Sequence, residues 1–433
     1  MQNSLRTRII SNLVSPYGLA SISFLVFLFS WLFPPSIYTW VMGERDILFL
    51  NPPTFIFYVL CVASFAVGVW ISYPQQVPLS IPKLSARVPA VIFLLLPLLV
   101  VMLIAARDML QTLRETPNLL LMLAAQQATD LKGATPLVTQ GQLASTAPTL
   151  VALSWWALWR FWQFRMTGWR AFIVRFVVIL AVLTIIGSSV ILISRNLIME
   201  AVAGMALLYI LHRQAEGRLS LAFATRIAAI FVLCIVMLFG IFSFLRGTNS
   251  LNAQLYLLLG YSSASYNRLA ALVVGALHYP FAGSGVYLSS FASFNEAFHR
   301  LIPLNRIFHW PDFFAEWTSE FGAVERAGLS GSLVFVSAFG FIFCDLGWFS
   351  PLLLLLYGLA YGLLWRAMRR SSVVGVVCYP FFSFCILFWF GTNLLLDSSL
   401  IPFLKYSIYL FIYEKLFLSR SPAVPKLANQ EIR

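Results

Sequence analysis

Residues 89–106 read PAVIFLLLPLLVVMLIAA, without a single charged side chain. A helix on the surface of a water-soluble domain carries one apolar stripe; this segment is apolar all round, which suits burial in lipid or in a large core. About 20 apolar residues of helix cross a bilayer's hydrocarbon, and the reading recurs along the chain. Comparable segments lie at 18–37, 53–72, 142–162, 171–193, 224–244, 349–365, 373–390 and 400–418, with a shorter one at 196–211. Segments 117–128 and 329–346 are apolar but awkward, and read as half-helices or re-entrant pieces. Across 433 residues only 10% are Asp, Glu, Lys or Arg, against roughly 25% in soluble domains. An ordinary soluble enzyme, a collagen-like fibre and a disordered chain are all excluded. The expected fold is all-α: one polytopic membrane domain over 1–433, a bundle of about 10–12 transmembrane helices. Arg6 and Arg8 precede the first run, which ends in WLFPPS without a small-residue cleavage pattern. It reads as an uncleaved first span.

Charge gives the expected orientation. With the N-terminus inside, the inner connections receive Arg6, Arg8, Lys83, Arg87, Arg160, Arg165, Arg170, Arg213, Arg218, Arg366, Arg369, Arg370, Arg420, Lys426 and Arg433. The outer ones receive only Arg45, Arg107, Arg114, Lys132 and Arg195. Lys and Arg accumulate on the cytoplasmic side of membrane proteins, so the net +13 reflects topology and anionic lipid rather than a nucleic acid partner. Between the outward span 224–244 and the inward span 349–365 lies 245–347, which must cross an even number of times. Either it stays outside, or 254–275 and 329–346 both cross. With six acids and five arginines it is near neutral amid basic inner loops, which favours a large outer, periplasmic region with membrane-associated or re-entrant segments. It is too long for a plain connector.

The five cysteines form no CxxC pair and fall almost all in apolar runs, as buried thiols do. Four histidines without HExxH spacing make a metal site improbable. No P-loop or GxSxG motif occurs, which argues against an ATP-driven machine. What remains are polar residues in costly places. Arg195, in SSVILISRNLIME, either snorkels at the interface or faces an outward cavity as a phosphate or carboxylate contact; Glu200 is a local partner or an acid/base. The segment RGTNSLNAQLYLLLGYSSASYNR brings Tyr261, Tyr266, Asn267 and Arg268 into apolar surroundings. It suits sugar hydroxyls and ring stacking, or an aromatic interface belt. The loop holds His278, His299, Arg300, Arg306, His309, Glu316 and Glu320. His is the natural proton carrier near neutral pH and Arg a fork for phosphate; a purely structural loop has similar composition. His299 follows Glu296 by three residues and adjoins Arg300, so acid and imidazole share a helical face. Asp345 and Gly347, in Cys-Asp-Leu-Gly before the span at 349, read as a helix cap and a tight turn, or Asp345 holds a loop arginine.

Arg195 before a short span, the segment YLLLGYSSASYNR, a large polar loop and then GSLVFVSAFGFIFCDLGWFSPLLLLLYGL together resemble bacterial O-antigen, or oligosaccharide repeat-unit, polymerases of the Wzy type. In that family the C-terminal signature is usually Asp-Phe-Gly; here Asp345-Leu346-Gly347 stands. The resemblance implies an inner-membrane glycosyltransferase of polysaccharide and lipopolysaccharide biosynthesis. It would move a growing glycan from undecaprenyl pyrophosphate onto a new lipid-linked unit at the periplasmic face. It implies no cofactor, and partners in the lipid-linked glycan, membrane lipids, a chain-length regulator and a flippase. The pyrophosphate leaving group is already activated, so the chemistry needs cations for its charge and a base for the acceptor hydroxyl. Arg195, Arg268, Arg300 and Arg306 are the candidates for the first; His299, His278 and Glu316 for the second; Tyr261, Tyr266 and Asn267 for the glycan. A glycan ligase of similar topology, a flippase or solute transporter, and a structural membrane partner are the competing readings.

Overall fold

Prolines shape the start of the chain. Ser15 Oγ accepts from Gly18 N and Pro16 opens the first turn of α1 (Pro16–Trp31), where a missing N–H costs nothing. Pro34 and Pro35 then stop it, because proline lacks the donor a continuing helix needs and clashes with the preceding turn. The chain restarts as α2 (Pro35–Met42), bent 87° from α1. The expected straight span 18–37 is therefore corrected to a broken pair.

The computed structural model describes residues 12–44, 50–73, 79, 81–116, 118–119, 137–192, 194–245, 250–288, 307, 309, 313–392, 394–396 and 400–418. After α2 come α3 (Pro52–Ser72), α4 (Ala90–Glu115), α5 (Leu137–Phe164), α6 (Gly168–Ile191), α7 (Asn196–Ala215) and α8 (Leu221–Leu245). Then follow α9 (Leu251–Tyr261), α10 (Ser263–Val273), α11 (Phe313–Arg326), α12 (Ser337–Leu346), α13 (Ser350–Arg369), α14 (Val373–Leu387) and α15 (Leu400–Phe417). Among the described residues there is no sheet, only an isolated bridge between Ala86 and Leu418. Among the described residues four stretches are long and apolar enough to cross a membrane: α3, α4, α6 and Ser337–Arg369; the α1–α2 pair makes a fifth if it counts as one span. Other long helices carry charges within their length, such as Glu200 in α7 and Lys405, Glu414 and Lys415 in α15. The segment 254–275 is broken at Ser262 into α9 and α10, each of 11 residues. At ~1.5 Å per residue each reaches roughly 16 Å, about half a bilayer's hydrocarbon.

Helix α14 is the central post, with thirteen of its fifteen residues buried and α1, α5, α7, α13 and α15 packed around it. Its apolar surface on every side has somewhere to go only in the middle of a bundle. The tightest helix pair is α3 with α13. A Cβ on Gly68 would lie 2.1 Å from Leu355 O, one on Gly358 2.1 Å from Phe65 O, and one on Gly362 1.8 Å from Ser72 Oγ. Small residues four apart on both partners let the backbones touch, which drives association where apolar burial distinguishes little between protein and lipid.

One end of the bundle gathers the basic residues. Arg160 Nε and Nη2 grip Glu414 at 2.5 and 3.0 Å while its Nη1 donates to Gln163 Oε1 and Ser371 O. Arg366 Nη2 donates to Ser72 O, Arg87 N to Phe417 O and Leu84 N to Gln163 O. The His212 ring, at the end of α7, stacks 4.2 Å from Trp162. Seven of the connections' cations expected on one side, Lys83, Arg87, Arg160, Arg165, Arg366, Arg369 and Arg370, thus lie in or beside one cluster of segments. Arg195 begins α7 at the opposite end, twenty helical residues away, a rise of roughly 30 Å.

Candidate functional site

The far end of the bundle is organised by a buried ion pair. Gly43 takes a left-handed φ of 68 at the end of α2, turning the next side chain, Glu44, into the protein. Arg268 of α10 is wholly buried and its Nη2 meets Glu44 Oε1 at 2.6 Å. The same carboxylate accepts from Ser330 N at 3.0 Å, from Asn267 Nδ2 at 3.2 Å and from the Tyr38 hydroxyl. Three further guanidinium hydrogens go to backbone: Nε to Leu333 O at 2.6 Å, Nη1 to Ala264 O at 3.0 Å and Nη2 to Ser330 O at 2.8 Å. A buried charge needs such partners, since desolvation is otherwise prohibitive. Tyr266 is also fully buried, its ring 5.0 Å from Phe27 and 5.8 Å from Tyr58. Of the residues read as glycan or phosphate contacts, Tyr266, Asn267 and Arg268 therefore line the protein's interior in this conformation.

Arg195 is buried too. It precedes α7, is 6% exposed, and donates from Nη2 to the Tyr261 hydroxyl at 2.7 Å. Its Cζ lies 5.1 Å from the Tyr261 ring centroid, within reach of a cation–π attraction. Glu200, one turn and a residue later, is buried. Tyr261 ends α9, and its ring also stacks on Phe335 at 5.2 Å.

Residues 330–336 connect these groups. Besides Arg268 and Glu44, Tyr256 reaches the hydroxyls of Ser330 (2.6 Å) and Ser332, and the Tyr279 hydroxyl donates to Val334 O at 2.6 Å. Burial, reinforced by the Glu320 carboxylate, holds the Tyr279 phenol well above its ordinary value, so it remains a donor. Leu333 presses on the last turn of α9, where a Cβ on Gly260 would lie 2.8 Å from Leu333 Cδ1.

Asp345 departs from the expected role of a helix cap: α13, with Phe349 at its N-cap, has no side-chain cap, while the loop arginines Arg300 and Arg306 lie outside the described residues. Its Oδ1 accepts from Gly283 N at 3.1 Å and Gly285 N at 3.0 Å, and its Oδ2 from Leu288 N at 2.9 Å. Gly283 and Gly285 have φ of 81 and 85, which turns successive amides inward around an anion. The acid ties the 281–288 turn to the end of α12. Gly347, at φ 52, does make the expected tight turn. A small second core, which takes in Val286 and Tyr287 of the 281–288 turn, forms with Leu277, Tyr279, Val324 and Val336 among others.

His278 stands exposed in the turn after α10, and His309 is exposed with φ 55. His299, Arg300 and Arg306 lie outside the described residues, and Glu316 falls on α11 with its side chain undescribed. Sequence reading passed over Glu44 and Phe335. An acid in WVMGERD beside an apolar segment was the available signal for Glu44; nothing distinguishes Phe335 among 39 phenylalanines. Asp108 is a further buried acid, 2.9 Å from both Thr146 Oγ1 and Arg107 Nη2. No family model, curated protein or solved structure matches the chain.

Proposed function

We propose that the chain is a glycosyltransferase of the bacterial inner membrane that polymerises undecaprenyl-pyrophosphate-linked oligosaccharide units at the periplasmic face. The supporting observation is Arg195, held against Tyr261 at the bundle end opposite the basic cluster. A lipid carrier's pyrophosphate lies at the membrane surface, and a guanidinium fixed there offers it a donor fork. In this reading both termini are cytoplasmic, ten to twelve segments cross or enter the membrane, and 276–328 faces the periplasm.

The acceptor hydroxyl attacks the anomeric carbon of the donor glycan. A new glycosidic C–O bond forms as the bond to pyrophosphate breaks; the leaving oxygen takes the electron pair and the base takes the hydroxyl proton. Arg195 meets the charge that develops on the leaving group, joined by Arg300 and Arg306. His299, His278 or Glu316 is the base, and Arg268 supports the site from inside. Lipid-linked glycan and bilayer lipids are the partners, with a chain-length regulator and a flippase in the same pathway. The activated leaving group asks for no cofactor.

The test is an in-frame deletion in the host, followed by a glycan length ladder. Loss of polymer with single-unit-capped product retained is expected. Loss of capped product altogether indicates a ligase or a flippase, and an unchanged ladder removes the glycan assignment.

A further inference from the structure

The buried ion pair and the Arg195 guanidinium belong to one mechanical path. Glu44 and Arg268, paired with each other, hold Ser330 and Leu333 through three hydrogen bonds. Tyr256 and Tyr279 fasten the same segment at Ser330, Ser332 and Val334. The segment ends at Ser337, whose φ of 63 is a conformation a β-carbon-bearing residue keeps only where its surroundings impose it. Between these anchors Phe335 stacks on Tyr261, and Tyr261 is touched by Arg195 at both its ring and its hydroxyl.

We infer that residues 330–336 are a positioning strap, which carries the grip of the Glu44–Arg268 pair through Phe335 and Tyr261 to the Arg195 guanidinium. The inference rests on the proposed function only for what Arg195 then binds, a lipid pyrophosphate. A long arginine side chain otherwise samples many rotamers; one already held meets an anion without that ordering cost. Tyr261 and Arg268 act on this account through Arg195, as positioning residues, rather than by touching sugar or phosphate.

The experiment is the rate at which phenylglyoxal modifies Arg195 in the full-length protein in lipid nanodiscs, read by peptide mass spectrometry. Tyr261→Phe keeps the ring and removes the hydroxyl; Phe335→Leu removes the stack. Each is expected to raise the rate roughly fivefold to tenfold, the scale of one such interaction. Glu44→Gln is expected to do the same in its folded fraction. Tyr413→Phe, which removes a bond to Phe93 O at the basic end, is expected to leave the rate alone. Parent-like rates in folded Tyr261→Phe and Phe335→Leu proteins overturn the strap, whether or not Glu44→Gln folds. A second arm adds undecaprenyl pyrophosphate to the discs. Protection of Arg195 in the parent supports the pyrophosphate reading; no protection overturns that reading while the strap result stands on the unliganded rates.

Discussion

Arg195 and Arg268 are both buried, and different contacts hold them. Arg268 is enclosed and bonded to a carboxylate and three carbonyls, so its charge is already answered. Arg195, 6% exposed, rests on the ring and the hydroxyl of Tyr261. Arg195→Lys keeps a charge but loses the planar fork, so polymer output is expected to fall sharply; full output from Arg195→Ala at matched protein levels would exclude a phosphate role. The exposed His278 invites a second measurement. If it is the base, initial rates with synthetic lipid-linked units drop ~10²-fold or more in His278→Gln, with donor affinity kept. A parent-like rate passes the role to His299 or Glu316. These readings were partly legible: a costly Arg195 can be found from composition, but that Arg268 meets Glu44, 224 residues away, is decided only by the fold.

At the scale of elements, glycine and a single acid set the geometry. Gly358 lies against the α3 backbone with no room for a methyl group. Gly358→Leu is expected to separate α3 from α13 and cost about 3 kcal/mol or more, beyond ordinary overpacking, seen as a lower melting temperature in detergent. Leu356→Ala, on a lipid-exposed position of the same helix, should stay within ~0.5 kcal/mol; an equal effect of both would show the glycine contact to be unimportant. Asp345 bonds three amides of the 281–288 turn. Bonds to a charged acceptor are worth ~1.5–3 kcal/mol each before compensation by water. In Asp345→Ala the amides of Gly283, Gly285 and Leu288 should therefore exchange hydrogen faster, while α4 keeps its protection. Unchanged exchange in the turn would count against the clamp. The G-x-x-x-G spacing of Gly358 and Gly362 is visible in sequence; its partner helix is not.

For the whole molecule, the expected asymmetry of charge becomes a spatial one, with Arg87, Arg160 and Arg366 bonded into one end and Arg195 at the other. The proposed topology puts the exposed Ala276 and Ala282 in the periplasm. With the five native cysteines replaced, Ala276→Cys and Ala282→Cys should react with a membrane-impermeant maleimide on intact spheroplasts. Reaction only after the membrane is opened would reverse the orientation.

Class was settled by sequence alone, because lipid selects long uncharged helices and composition reports them directly. The positions of most helices followed for the same reason, apart from the proline break at 34–35 and the break at Ser262, where local backbone chemistry overrides hydropathy. Only the tertiary structure decided which polar residues face inward, which acid answers which arginine and what Asp345 holds. Those pairings join segments far apart in the chain, and a buried charge takes its meaning from the partner that folding brings to it.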